Sequence, residues 1–249
     1  MHVVSGMFDL TPKAMAAVMA ASYVMTVMAS ELYLHRSRAH RAITFHPLLC
    51  QAFRMWIFLT TYGVTAKTWV AVHRKHHAKC DTVDDPHSPV IHGLWTILSR
   101  GTLLYRKAVR DAELVKTYGV GMSEDWMDEH LYTRHRFRGA FVFLALELAL
   151  FGFPDGLLIW MFQLSLLPLW ASGFINGLFH HVGYRNTDTK DASRNFFPIG
   201  FIFGGAELHN NHHANPASAK MSARWWEFDA GYALVRTLAL VGAAKINRV

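Results

Sequence analysis

PLLCQAFRMWIFLTTYGVTA, residues 47–66, separates two histidine-rich segments, and the way it is read decides the architecture. It is apolar and long enough to cross a hydrocarbon core of about 30 Å. It also carries Arg54, and it lies between the pair His35/His40 and the box HRKHH, residues 73–77. A crossing would leave those two groups in opposite compartments, where they could not share a ligand. The stretch therefore reads as an interfacial or re-entrant helix with Arg54 held near the surface.

Two boxes of the form H-x-x-H-H lie 136 residues apart: HRKHH (His73, His76, His77) and HNNHH (His209, His212, His213). On a helix, positions i, i+3 and i+4 share a face, so each box aims three imidazoles at one region. His35, His40 and an N-x-x-x-H pair, Asn176 and His180, bring the histidine donors to nine. Four ligands close a structural zinc site, so nine imidazoles point to two metals.

The surrounding text places these residues on one side of a membrane. The chain is 52% hydrophobic, with 17 Phe, 11 Met and 8 Trp, above the soluble average. Apolar spans are expected at about 14–34, 137–153 and 156–179, with the turn FGFPDG (151–156) between the last two. Arg36, Arg38 and Arg41 mark the cytoplasmic end of the first. Residues 139–184 contain no Lys or Arg, whereas 73–138 contain eleven and 185–249 contain eight. That distribution flanks spans and excludes a nucleic-acid-binding face, despite the net charge of +7. No cleavable leader is expected. The fold class that follows is all-α: one domain, 1–249, an integral membrane helical bundle with a cytoplasmic helical cap (about 67–136 and 180–249) holding the histidine site.

Imidazole serves Zn, Cu, Fe and Ni alike. The zinc-hydrolase signature H-E-x-x-H is absent, leaving a zinc-bound water without an obvious base. A haem would need facing histidines within the spans, not at their ends. An all-nitrogen iron pair that activates O2, with the membrane supplying a long apolar substrate, fits best. Cys50 and Cys80 stand in no metal or disulfide spacing. Glu207, Asp84 and Asp85 are candidates for orienting ligand imidazoles, and Trp69 for lining a substrate channel.

The ordered set H-x-x-x-x-H, H-x-x-H-H, N-x-x-x-H, H-x-x-H-H resembles the membrane-bound fatty acid desaturases of the stearoyl-CoA desaturase type. Flanking text agrees: HRSRAHR, HRKHHAKCDTVDDPHSP, NGLFHHVGYRN and HNNHHANP, within residues 30–230. The resemblance implies two irons, O2 as co-substrate, and a cis double bond near carbon 9 of a long saturated acyl chain. Hydroxylation or alkene-forming decarboxylation are the alternative outcomes, and a zinc-dependent membrane hydrolase is the rival outside redox chemistry. It also implies a ligand split: His35, His40, His73, His77 and His213 on one iron, and His76, His180, His209 and His212 on the other, with Asn176 reaching the second through a water. Electrons would come from a separate ferredoxin, rubredoxin or cytochrome-type partner, docked on basic residues such as Arg74, Lys75 and Lys79. The family often has Arg-Asp before the first box, charges that hold coenzyme A. Ala71 and Val72 stand there in this chain, which favours a phospholipid- or carrier-linked substrate over acyl-CoA. The implied location is a bacterial inner membrane, with the site facing the cytoplasm.

Overall fold

A computed structural model describes residues 5–249. It is mainly helical, with two small two-stranded sheets as the exception to the all-α expectation. Helix α1 runs Pro12–Ala39 and helix α8 Asp155–His180, and both are long and apolar enough to cross a membrane. Thr11 caps α1 by accepting from the Ala14 amide, and Pro12 sits in the first turn, where no amide donor is needed. Both helices widen to π geometry where they approach the histidines, over Met28–Ala39 and Pro168–Ile175. Such widening is frequent at functional sites. Pro168 opens the second widening, and a proline there removes one helical donor.

Residues 47–66 form a helix, α2 (Pro47–Thr60), that ends after 14 residues, about 21 Å. The indole of Trp56 donates to Thr26 of α1, and Phe53 stacks on Tyr33. The chain then turns at Thr61–Val64 and enters α3 (Ala66–Lys79) through a capping box between Thr65 and Thr68. His73 on α3 returns to within 2.8 Å of His40. The two flanking segments thus meet. Arg54 turns into an ion pair with Asp125 and Asp128 at 2.6–2.9 Å, leaving little of it for solvent.

Short helices α4 (Pro89–His92), α5 (Leu94–Ala108) and α6 (Ala112–Tyr118) follow. Helix α7, Arg138–Phe151, occupies the region expected as the second span, but its 14 residues make it about 21 Å long. Of the described helices only α1 and α8 meet a spanning length. A buried polar set ties α1, α7 and α8 together: Gln163 donates to Ser22 and to the Glu147 carboxylate, both at 3.0 Å. Beyond α8 come strand β2 (Ile199–Gly200), helix α9 (His209–Ala214), strand β3 (Phe228–Asp229), helix α10 (Ala230–Leu240) and strand β4 (Ala244–Ile246). Strand β4 pairs antiparallel with β1 (Ile43–Phe45), just after His40.

Arg36 pins the second half of the chain to α1. It is 1% exposed and forms a bidentate pair with Asp229 at 3.0 and 3.1 Å. It also donates to Glu31 and to the carbonyls of Ala219 and Gly204. Gly205 has φ +100°, and a Cβ there would strike both the guanidinium and the Asp229 carboxylate. Replacing Arg36 by Met leaves buried Asp229 without its cation and Glu31 with His35 alone, which costs about 3–5 kcal/mol. The expected outcome of Arg36→Met is a large drop in thermal unfolding temperature, read by calorimetry in detergent; an unchanged midpoint would overturn this assignment.

Candidate metal centre

All nine histidines converge, in two adjoining groups. In the first, His35, His40, His73, His77 and His212 bring donor atoms within 4.8 Å of one another. His212 Nε2 lies 3.0 Å from both His35 Nε2 and His77 Nε2. In the second, His209 Nε2 lies 3.0 Å from His180 Nε2 and 3.1 Å from His213 Nε2, and His76 belongs to the same cluster. The rings of His77 and His213 stack at 4.5 Å across the seam.

This division corrects the split implied by resemblance, which put His213 in the first group and His212 in the second. Helix geometry explains the exchange. At 3.6 residues per turn, positions i and i+4 diverge by about 40°, whereas i+3 and i+4 diverge by about 100°. Each box therefore sends its outer pair to one group and its middle histidine to the other. His73 and His77 go to the first group while His76 crosses over, and His209 and His213 go to the second while His212 crosses over.

The outer ring nitrogens show what the centre can accept. Glu31 holds His35 Nδ1 at 2.9 Å, Asp85 holds His76 Nδ1 at 2.9 Å, and Asp191 holds His213 Nδ1 at 3.2 Å. Asp81 lies 3.6 Å from His180 Nδ1. A carboxylate keeps the proton on Nδ1, so the Nε2 lone pairs face inward toward each other. Acceptors packed at 3.0 Å repel unless a cation lies among them. Right-angled donors about 2.1 Å from a metal stand ~3.0 Å apart, matching the spacing here. The residues fit metal ions, and all-imidazole donors suit iron among others.

Burial first, and neighbouring imidazoles second, drive His40, His73, His77, His209 and His212 well below the ordinary histidine range. His213 falls to about 3, burial outweighing the opposing pull of Asp191. Burial would raise Asp85, but the attraction and hydrogen bond of His76 overcome it and hold the carboxyl below its usual range.

Other expected residues divide. Trp69 stacks on His73 at 4.9 Å and lines a cavity of about 510 Å³ that also reaches Asn176. Asp85 is buried beside His76, whereas Asp84 is exposed and faces Lys79 at 4.0 Å. Glu207 takes no histidine: its carboxylate accepts from the amides of Phe203 and Gly205. Arg74 turns inward onto the carbonyls of Ala39, Arg38, Tyr118 and Val120, which removes it from any docking face.

Sequence reading missed Glu31, Asp81 and Asp191. Only Glu31 carried a signal, standing one helical turn before His35. Cys80, given no metal spacing, places Sγ 3.7 Å from His76 Nε2, one turn away on α3. His87, which follows Asp84 and Asp85 in the DDPHSP turn, is buried against His76 at 4.7 Å, and its Nε2 has no hydrogen-bond partner among the described residues.

The fatty acid desaturase sequence pattern matches residues 12–246, and the chain belongs to that family. It is 30% identical to an acyl-CoA 5-desaturase of Anemone leveillei, over 91% of this chain and 69% of that one. An sn-1 stearoyl-lipid 9-desaturase of Synechocystis is 29% identical over 86% of this chain and 65% of its own length. A Delta-9 acyl-lipid desaturase of Arabidopsis thaliana is 30% identical over 84% and 67%. The chain is accordingly an oxidoreductase of the acyl-lipid or acyl-CoA desaturase kind.

Two outcomes follow. Asp85→Asn removes the acceptor that fixes the His76 ring, so metal affinity should fall about 10–100-fold, measured by competition with a chelator; unchanged affinity would contradict the role. The second concerns pH. Unfolded histidines take up protons near 6.5, whereas His213 in the native state does so only near 3. The unfolded state therefore binds more protons between these values, and stability rises with pH. Metal-free protein should melt at progressively lower temperature as pH falls from about 7 toward 4; a flat profile would be inconsistent with buried neutral imidazoles.

Proposed function

We propose that this chain uses two irons and O2 to insert a cis double bond near carbon 9 of a long saturated acyl chain held in the membrane. The observation that carries this reading is one cavity that meets His73 of the first group and His87, which packs on His76 of the second at 4.7 Å. His73, His87 and Asn176 line that cavity together with Trp69, Val64, Leu164 and Leu167. Bound by the nine imidazoles, the irons would supply the oxidising power, with O2, two electrons and two protons consumed and two waters released per double bond.

The chain's own residues do the rest. Trp69, held flat against His73, fixes one wall where the acyl methylenes pass the metal groups. Leu164, Leu167 and Val64 exclude water from the apolar part of the channel. Asn176, half-buried at the end of the π segment, would reach the second group through a water. Glu31, Asp85 and Asp191 keep the imidazoles in one tautomer.

Arg106, Arg110 and Arg136 stand on the cavity wall beside Phe137 and Leu164, and none forms an ion pair among the described residues. Leu164 precedes Asn176 by twelve residues on α8, at most about 18 Å. The guanidiniums would thus receive an anionic, phosphate-bearing head group while the methylenes extend toward the histidines. Buried Ala71 and Val72 add no charge, which favours a phospholipid over a coenzyme A thioester. Electrons would come from a separate ferredoxin, rubredoxin or cytochrome-type donor on the cytoplasmic side of a bacterial inner membrane, near exposed Lys79.

Expression in a bacterium that makes no monounsaturated acids, followed by chromatography of total fatty acids, tests the reading. A new cis-9 monounsaturated peak, dependent on O2 and lost in His76→Ala, is expected. Hydroxy acids or terminal alkenes instead would refute desaturation. Arg110→Ala or Arg136→Ala should raise KM about tenfold with kcat little changed, as loss of one charge-assisted hydrogen bond implies.

A further inference from the structure

The segment Phe196–Leu208 lies in the region read from sequence as cytoplasmic cap, yet it reaches along both long helices, away from the histidines. Tyr23 donates through its hydroxyl to the Ile202 carbonyl at 2.6 Å. Tyr23 precedes His35 by twelve residues on α1, so the contact is up to about 18 Å from the metal centre along that axis. Phe203 stacks on Trp170 of α8 at 6.1 Å, ten residues before His180. Gly204 meets Val27 and Glu31 so closely that a Cβ would collide with Val27. Two independent helices thus report the same depth.

Its outward side chains are apolar where a water-facing loop would be polar. Phe201 is 72% exposed and Ile202 60%, with Phe197 and Ile199 about half exposed. Beside them, on the strand paired with Ile199, stand exposed Phe228 and the neighbouring Trp225 and Trp226. Aromatic residues of that kind favour the membrane–water interface.

Non-helical backbone survives at membrane depth only if protein satisfies its polar groups. That condition is met here for much of the segment. The Glu207 carboxylate accepts from the amides of Phe203 and Gly205 at 2.8 and 3.1 Å. Arg36 donates to the Gly204 carbonyl, and Tyr23 serves that of Ile202. Backbone bonds take up Phe201, Ala206 and Leu208 as donors, and the Pro198 and Glu207 carbonyls as acceptors. A buried carboxylate aimed at two loop amides has no metal role. It acts as an internal cap that makes the loop's peptide groups tolerable in hydrocarbon.

We propose that residues 196–203 form a re-entrant loop whose exposed Phe197, Ile199, Phe201 and Ile202 insert into the acyl-chain region of the leaflet nearest the metal centre, with Glu207 holding its backbone closed from within. The partner surface is the lipid bilayer itself, continuous with the apolar flanks of α1 and α8. The proposal rests on reading those two helices as spans. The second histidine box follows the loop directly, so its position is braced from the membrane side.

The wild-type chain is reconstituted into phosphatidylethanolamine/phosphatidylglycerol vesicles doped with a phospholipid carrying a diazirine midway along its acyl chain. After irradiation, adducts are mapped by mass spectrometry. Adduct yield on residues 196–203 should approach that on residues 155–166 of α8 and exceed that on the exposed turn 79–84 by roughly tenfold. Adducts on 155–166 but only background on 196–203 would overturn the loop's insertion while leaving the spans intact. Background on 155–166 as well would overturn the membrane placement itself, and the proposal with it. Glu207→Gln, which weakens the internal cap, should lower the yield on 196–203 and leave α8 unchanged; an equal loss at both places would instead mark general misfolding and count against the specific role.

Discussion

Inward-facing imidazole lone pairs are the constraint on which the molecule depends. Ring nitrogens from eight of the nine histidines, packed at about 3 Å, cannot be held by apolar burial, because each neutral acceptor repels the next. The protein resolves this from outside, by spending carboxylates on the opposite ring nitrogens: Glu31, Asp85 and Asp191 fix the protons away from the centre. Those carboxylates are themselves buried or half-buried, and they come from α1, the turn after α3 and the loop before α9. The metal centre is consequently the junction of the whole chain, not a feature placed on a finished scaffold.

Arg36 plays the complementary part on the other side of α1. One residue from His35, it collects Asp229, Glu31 and two carbonyls from segments far along the sequence. Adjacent positions on a helix point roughly 100° apart, so His35 and Arg36 serve different partners although they are neighbours in sequence. Glu31 links the two systems, since its one oxygen contacts both His35 Nδ1 and Arg36 Nε. Position of the first ligand pair and docking of the C-terminal region are thereby coupled through a single carboxylate.

Much of this was legible beforehand. The spacing of His73, His76, His77 and of His209, His212, His213 singled out histidines that the structure brings together, and the argument that 47–66 could not separate them is compatible with a 14-residue α2. Trp69 and Asp85 were also placed near the site by sequence alone. The partition of the second box was not, because spacing shows that three residues share a face without showing which neighbour each will meet. Asp81 and Asp191 were invisible for a related reason: a carboxylate that grips a histidine 99 or 22 residues away leaves no local periodicity. Glu207 was read as a candidate to orient a ligand imidazole and instead caps its own loop, since a carboxylate two residues from a histidine of the box looks identical in sequence whichever way it turns.

The pairing of β4 with β1 bears on how the molecule is made. His35 and His40 leave the ribosome early, yet their neighbours in the first group include His212, and strand Ile43–Phe45 waits for Ala244–Ile246 to close beside it. The earliest donors meet His73 and His77 early, but their group stays incomplete until His212 is made. The first histidine group is therefore complete only when the last fifth of the chain has folded back across α1.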